Sequence, residues 1–194
     1  MFLKKMQKKN KLAYLDFFLI FLSLVAAFFL RQDLVLIILF VFTLFYLYMT
    51  QRTGLLKTLL LSFILSFLLV FIARNYFIYK SEFLTIQGIS LFPLLAWTLG
   101  LFGLYLMHKS LEKHIKNPTL LKKLLLLIVI YWPLLISVET LWYHKAGVQL
   151  NSHYSGLPVC DCIHAVWWAK IAYFLIGIIF FIINYYLVEK QLNK

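Results

Sequence analysis

The sequence predicts an all-α integral membrane protein, a six-transmembrane-helix bundle whose N-terminus and C-terminus are both cytoplasmic. Of its 194 residues, 63% are hydrophobic and only 13% are charged, whereas a soluble domain is about half apolar and about a quarter charged. The apolar residues also form runs long enough to cross a bilayer. These observations exclude a soluble enzyme, a disordered tail and a disulfide-rich scaffold.

Six apolar segments account for the predicted helices, since a helix needs about 20 residues to cross the hydrocarbon core. The fourth segment contains Gly88 and Pro93, which predict a kink or an interfacial turn at its start. Asp33 is placed to cap the second helix, and Asn117-Pro118 predicts the start of the fifth. The approximate spans are 13–30, 34–49, 58–73, 83–107, 124–142 and 165–188.

The basic residues predict the orientation. With the N-terminus inside, fourteen of the 19 Lys and Arg residues fall in cytoplasmic segments, as the positive-inside rule requires. This distribution explains the formal net charge of +12 without a nucleic-acid partner. No small-residue cleavage site follows the first span, so residues 13–30 are expected to be a retained helix. The chain is thus predicted to be one domain, 1–194, in the cytoplasmic membrane.

The last outer connection, residues 143–164, is the longest predicted loop, and most of the reactive side chains lie in it or beside it. Pro158 suits the first turn of a helix that would run to residue 188. In such a helix Cys160 and His164 share a face, while Cys162 lies about 200° away. All three side chains can therefore reach one ion only if the turn is irregular.

Three interpretations of this loop remain open. In the first, it holds zinc or another transition metal, because zinc accepts Cys, His and carboxylate ligands. In the second, Cys160 is a nucleophile with His153 as its base, or the two cysteines form a redox pair. In the third, the loop is structural, and an oxidising outer compartment permits a disulfide. The predicted metal ligands are His144, His153, Cys160, Cys162 and His164.

Glu139 lies near the outer end of the fifth span. A carboxylate at that depth is costly unless it is paired or reaches water. It is either an interfacial residue bonded to Lys145 or Arg74, or a functional acid or base.

The leading functional hypothesis is a small membrane-embedded enzyme that acts on a lipid or isoprenoid-like substrate at a metal or thiol centre. In this hypothesis the protein interacts with the lipid bilayer and does not bind nucleic acid. The candidate catalytic residues are Glu139, His153, Cys160 and Asp161. The side chains expected to line an apolar approach are Trp142, Tyr143, Trp167 and Trp168.

The alternatives are a non-enzymatic binding or transport subunit for a small molecule, and an accessory or assembly protein. In size and helix number the chain is similar to the substrate-binding subunits of vitamin uptake systems, a likeness of fold alone. A metal centre requires ligands that converge, a binding subunit requires a cavity between helices, and an accessory protein requires only an exposed apolar patch.

Overall fold

The structure, a computed structural model, describes residues 31–144 and 154–189. This part of the chain forms five helices, each long and apolar enough to cross a membrane, which confirms the helical, membrane-like fold class. The first predicted span, residues 13–30, lies outside the described residues. The helices are α1 (Gln32–Met49), α2 (Thr53–Ala73), α3 (Leu91–Glu112), α4 (Leu120–His144) and α5 (Trp167–Asn184), and a π-helical turn, Tyr185–Glu189, continues α5.

Helix α3 is the centre of the bundle. It packs most extensively against α2 and also contacts α1, α4 and α5. Its buried side chains extend from Phe92 to His108. Because α5 packs on α2 and α4 as well, the largest buried cluster joins four helices, with Leu101, Leu127 and Phe180 among its most buried members.

A two-stranded hairpin precedes α3. Strand β1 (Thr85–Ile86) pairs antiparallel with β2 (Ile89–Ser90), and the residues between them, Gln87 and Gly88, have φ values of 50° and 77°. Positive φ at both positions matches the twist of a two-residue hairpin, and glycine adopts it without steric cost. A turn is thus present at the start of the predicted fourth segment. The predicted start of the helix at residue 83 is wrong, because residues 85–90 form the hairpin instead.

Asp33 ties this hairpin to α1. Its fully buried carboxylate accepts hydrogen bonds from the Arg31 guanidinium at 2.9 and 3.1 Å and from the N–H of Leu84 at 2.9 Å. Arg31 also donates to the carbonyl of Glu82. The predicted capping role of Asp33 is wrong, because the residue lies inside the first turn of α1 and binds a second segment of the chain.

Substitution Asp33→Ala should therefore destabilise the protein. Removing the carboxylate deprives Arg31 and the Leu84 N–H of their acceptor, and a lost buried hydrogen bond of this kind costs about 2 kcal/mol. Thermal unfolding in detergent should show a lower midpoint for Asp33→Ala. Glu82→Ala is the control, because Glu82 takes part through its backbone carbonyl. Equal midpoints for both variants would contradict the assigned role.

The opposite end of the bundle is held by His108, which the sequence places in a solvated basic link. The side chain is instead fully buried, because α3 continues to Glu112. Its Nε2 lies 3.0 Å from the Lys123 carbonyl oxygen, and its ring packs edge-on against Phe181 at 4.7 Å. Lys123 in turn forms an ion pair with Glu112 at 2.5 Å.

Helix α4 begins before the predicted span 124–142 but after Asn117-Pro118, where its start was predicted. Asn117 has a φ of 50°, and the first helical residue is Leu120. The Thr119 carbonyl accepts the first backbone bond, from Lys123 N–H at 3.0 Å. Asn117-Pro118 therefore belongs to the turn before the helix and does not start it.

Candidate metal centre

The segment before α5 is not helical. Asp161 and Ile163 have φ values of 43° and 54°, a left-handed conformation that interrupts a right-handed helix. The Leu157 N–H donates to the Cys162 carbonyl at 2.8 Å, and the Asp161 N–H donates to the Leu157 carbonyl at 2.9 Å. The predicted helix from Pro158 is wrong, since these bonds close a compact turn and α5 begins only at Trp167.

The turn places Asp161 between two histidines. Its Oδ1 lies 3.0 Å from His164 Nε2, and its Oδ2 lies 3.9 Å from His144 Nε2. The ligand atoms of the three residues all lie within 4.8 Å of one another. Ligand atoms around a tetrahedral zinc ion are about 3.3–3.6 Å apart, given bonds of about 2.0–2.2 Å. Small side-chain movements would therefore bring the three groups to one ion.

Each histidine is positioned by the element that carries it. His144 is the last residue of α4, and its Nε2 also lies 2.8 Å from the Asp161 carbonyl oxygen. The ring of His164 stacks on Tyr143 with centroids 3.6 Å apart and planes at 5°. The side-chain exposures are 7% for His164, 37% for His144 and 73% for Asp161. The group therefore has one buried side and one side open to water or a ligand.

Gly156 supports the position of Asp161. A Cβ at residue 156 would lie 2.6 Å from Asp161 Oδ1 and 2.7 Å from its backbone carbonyl carbon, so no side chain fits without moving the carboxylate. Lys170 of α5 donates hydrogen bonds to the carbonyls of Ser155 at 2.6 Å and Gly156 at 3.3 Å. These bonds hold this segment of the loop against α5. Gly156 was not among the residues predicted for the site, and its one signal in the sequence is its position five residues before Asp161.

The two cysteines are joined to each other in a disulfide. In this state neither sulfur is a thiolate, the form that binds metals and attacks electrophiles. Among the residues that the structure describes, the converging group consists of His144, Asp161 and His164. Cys160 is exposed, whereas Cys162 is fully buried. Asp161, predicted to be an acid or base, lies among the candidate ligands. His153, predicted to be a ligand and a base, lies outside the described residues.

A cavity of about 230 Å³ lies between α1, α3 and α4. Its lining is almost entirely apolar, with side chains such as Leu36, Leu99 and Trp142, and Glu139 is the one carboxylate among the described lining residues. Among the described residues no Lys or Arg forms an ion pair with Glu139. Arg74 lies over the Phe71 ring at 4.4 Å, so its predicted bond to Glu139 is absent, and Lys145 lies outside the described residues.

The four aromatic side chains that were expected to line an apolar approach separate into different environments. Trp142 lines the cavity, and Tyr143 stacks on His164. Trp167 is 75% exposed, and Trp168 packs edge-on against Tyr76 at 5.4 Å. Of these four residues, only Trp142 and Tyr143 are thus associated with the cavity or the candidate ligands.

Comparison of the chain with protein-family models, curated proteins and solved structures finds no significant match. The arrangement of the site is therefore the basis for a functional proposal.

Proposed function

We propose that the protein is a metal-dependent membrane enzyme that acts on the polar end of a lipid or isoprenoid-like molecule. In this proposal His144, Asp161 and His164 bind the metal. The observation that carries it is the convergence of these three groups within 4.8 Å of one another at the end of a helix that also lines an apolar cavity.

Two imidazoles and one carboxylate match known catalytic metal sites. Zinc sites of this kind keep a fourth position open for water or substrate, and non-haem iron uses the same three ligand types with open positions. The exposed side of Asp161 provides that open position here, since its side chain is 73% exposed. A metal held there can polarise a carbonyl or phosphoryl oxygen or lower the pKa of bound water.

Helix α4 connects the cavity to the candidate ligands. Glu139 and Trp142 line the cavity, and His144 follows Glu139 by about 7.5 Å along the helix axis, at 1.5 Å per residue. An apolar tail that fills the cavity can therefore extend its polar group toward the metal centre. Glu139 is the proposed acid or base on the cavity side, and the aromatic ring of Trp142 would contact the tail.

The proposed location of the centre is the outer face of the cytoplasmic membrane. Fourteen of the 19 basic residues belong to the predicted inner segments, which supports an inner position for the opposite end of the bundle. The outer compartment is also the one in which a disulfide persists.

The test combines metal analysis with lipid chemistry. Protein purified in detergent, stripped with a chelator and reloaded with Zn²⁺ or Fe²⁺ should retain about one ion per chain. The loaded and stripped forms are then incubated with a total membrane lipid extract, and the lipids are compared by mass spectrometry. A lipid that changes mass only with the loaded protein supports an enzyme. Absence of stoichiometric metal would overturn the proposal.

A binding or transport subunit is the second candidate, and the cavity between α1, α3 and α4 favours it. In that case a lipid copurifies with the protein and keeps its mass whether or not metal is present. Gly100→Leu then serves as a probe, because Gly100 lines the cavity and no heavy atom lies within 4 Å of the position of a Cβ. The leucine should fill part of the cavity and reduce the amount of copurified lipid.

A further inference from the structure

We propose that the Cys160–Cys162 disulfide is redox-active and exchanges with an external dithiol at Cys160, the exposed residue of the pair. This activity goes beyond the proposed metal-dependent reaction and does not require a metal. It is carried by two observations, the very small loop that the disulfide closes and the unequal exposure of its two cysteines.

The disulfide joins residues only two positions apart. The contribution of a disulfide to stability grows with the logarithm of the loop that it closes, so a three-residue loop gives the smallest benefit. The turn is held independently by the Leu157 N–H bond to the Cys162 carbonyl at 2.8 Å and by the burial of Ile163 and Ala165. A purely structural role therefore leaves this disulfide largely unexplained.

The two cysteines differ in exposure. Cys162 is fully buried within the main hydrophobic cluster, whereas Cys160 is exposed and its neighbour Val159 is 98% exposed. Thiol–disulfide exchange requires a thiolate to reach one sulfur of the disulfide, and the site of attack depends on access. An incoming thiolate can therefore attack Cys160, and Cys162 is the leaving group.

The exchange balances in two steps. A thiolate of the external dithiol attacks Cys160 Sγ, a mixed disulfide forms, and the bond to Cys162 breaks, so that Cys162 leaves with the electron pair and takes up a proton. The second thiolate of the dithiol then attacks the sulfur that the dithiol contributes to the mixed disulfide. The bond to Cys160 breaks, and Cys160 takes up a proton. The external dithiol becomes a disulfide, and two electrons and two protons pass to this chain.

The test uses the full-length protein in detergent with a chelator present, so that a failure of the metal proposal does not affect it. The oxidised protein is equilibrated with dithiothreitol and with glutathione buffers of stepped ratio, quenched with acid, and its thiols are tagged with a maleimide that adds a countable mass. We expect both cysteines to become reduced together without denaturant and to reoxidise when oxidised glutathione is restored. Resistance of the folded protein to dithiothreitol would overturn the proposal.

Single variants test the direction of attack. Cys162→Ser leaves Cys160 as a free thiol, and Cys160→Ser leaves Cys162 as one. With oxidised glutathione, the Cys160 thiol should form a mixed disulfide roughly tenfold faster than the Cys162 thiol. Equal rates in the two variants would contradict attack at Cys160. If a variant fails to fold, the oxidised wild-type protein treated with a limiting amount of reduced glutathione and quenched with acid supplies the same information, because peptide mapping must find the mixed disulfide on Cys160.

Discussion

Substitution His164→Ala should lower the affinity of the purified protein for Zn²⁺ by more than about 100-fold. Outer-shell partners of metal ligands are worth about 10–100-fold in affinity, and loss of a ligand from a set of three should exceed that. His164 is the candidate ligand with the most buried side chain, 7% exposed, and its ring stacks on Tyr143. The measurement is competitive titration against a chromogenic chelator.

His114→Ala is the matched control. It removes an exposed histidine in the link between α3 and α4, at the opposite end of the bundle, and should leave the affinity unchanged. A comparable loss in both variants would indicate surface binding of zinc and would contradict the three-residue centre.

The stability of the protein gives a second readout that separates loss of metal from loss of fold. A ligand that binds only the folded state raises the free energy of unfolding by about 2.7 kcal/mol at a concentration 100 times its Kd. Wild-type protein should show this rise on addition of Zn²⁺, and His164→Ala should not, even if its metal-free form is already less stable. A zinc-induced rise of equal size in the variant would exclude His164 as a ligand.

The helical membrane fold was predictable because its signal is local. An apolar run long enough to cross a bilayer is a property of contiguous residues, and the five described helices coincide with predicted spans 34–49, 58–73, 83–107, 124–142 and 165–188 apart from their ends. The ends depend on distant partners. The local sequence around Asp33 predicts a helix cap. Its carboxylate instead accepts a hydrogen bond from the N–H of Leu84, a contact that no local pattern contains.

The candidate site was predictable in part of its composition and not in its geometry. His144 and His164 were predicted as metal ligands and do converge with Asp161. Asp161 was expected on a regular helix, because a positive φ at a non-glycine residue has only a weak sequence signal. Two such residues, Asp161 and Ile163, redirect the chain here. The same turn brings the cysteines together, so that the disulfide alternative, left open by the sequence, is the one that the structure contains.

Substitution Gly177→Ala should lower the free energy of unfolding by about 2–3 kcal/mol, through overpacking of a tightly filled core. A Cβ at residue 177 would lie 2.5 Å from Cε1 and 2.7 Å from Cδ1 of the Tyr131 ring. The ring cannot easily retreat, because Tyr131 is only 5% exposed and its hydroxyl donates to the carbonyl of Tyr173. Since Tyr131 also lines the cavity, the same change should reduce lipid binding.

Gly100→Ala is the matched control for this prediction. It introduces the same methyl group into a transmembrane helix, but no heavy atom lies within 4 Å of the new Cβ. Alanine also costs less backbone entropy than glycine in a helix, by about 0.5–1 kcal/mol, so this variant should be as stable as the wild type or slightly more stable. Chemical or thermal unfolding in detergent compares the two, and equal stability of both alanine variants would refute the close contact at Gly177.

A double-mutant cycle tests whether the Cβ of residue 177 clashes with the Tyr131 ring. If the Cβ of residue 177 acts on the Tyr131 ring, Tyr131→Leu removes the atoms that it meets, and Gly177→Ala should then cost much less in the Tyr131→Leu background than in the wild type. Contacting pairs show coupling energies of about 0.5–3 kcal/mol, and a value near the upper part of that range is expected here. Additive effects of the two substitutions would show that Gly177 is required for another reason.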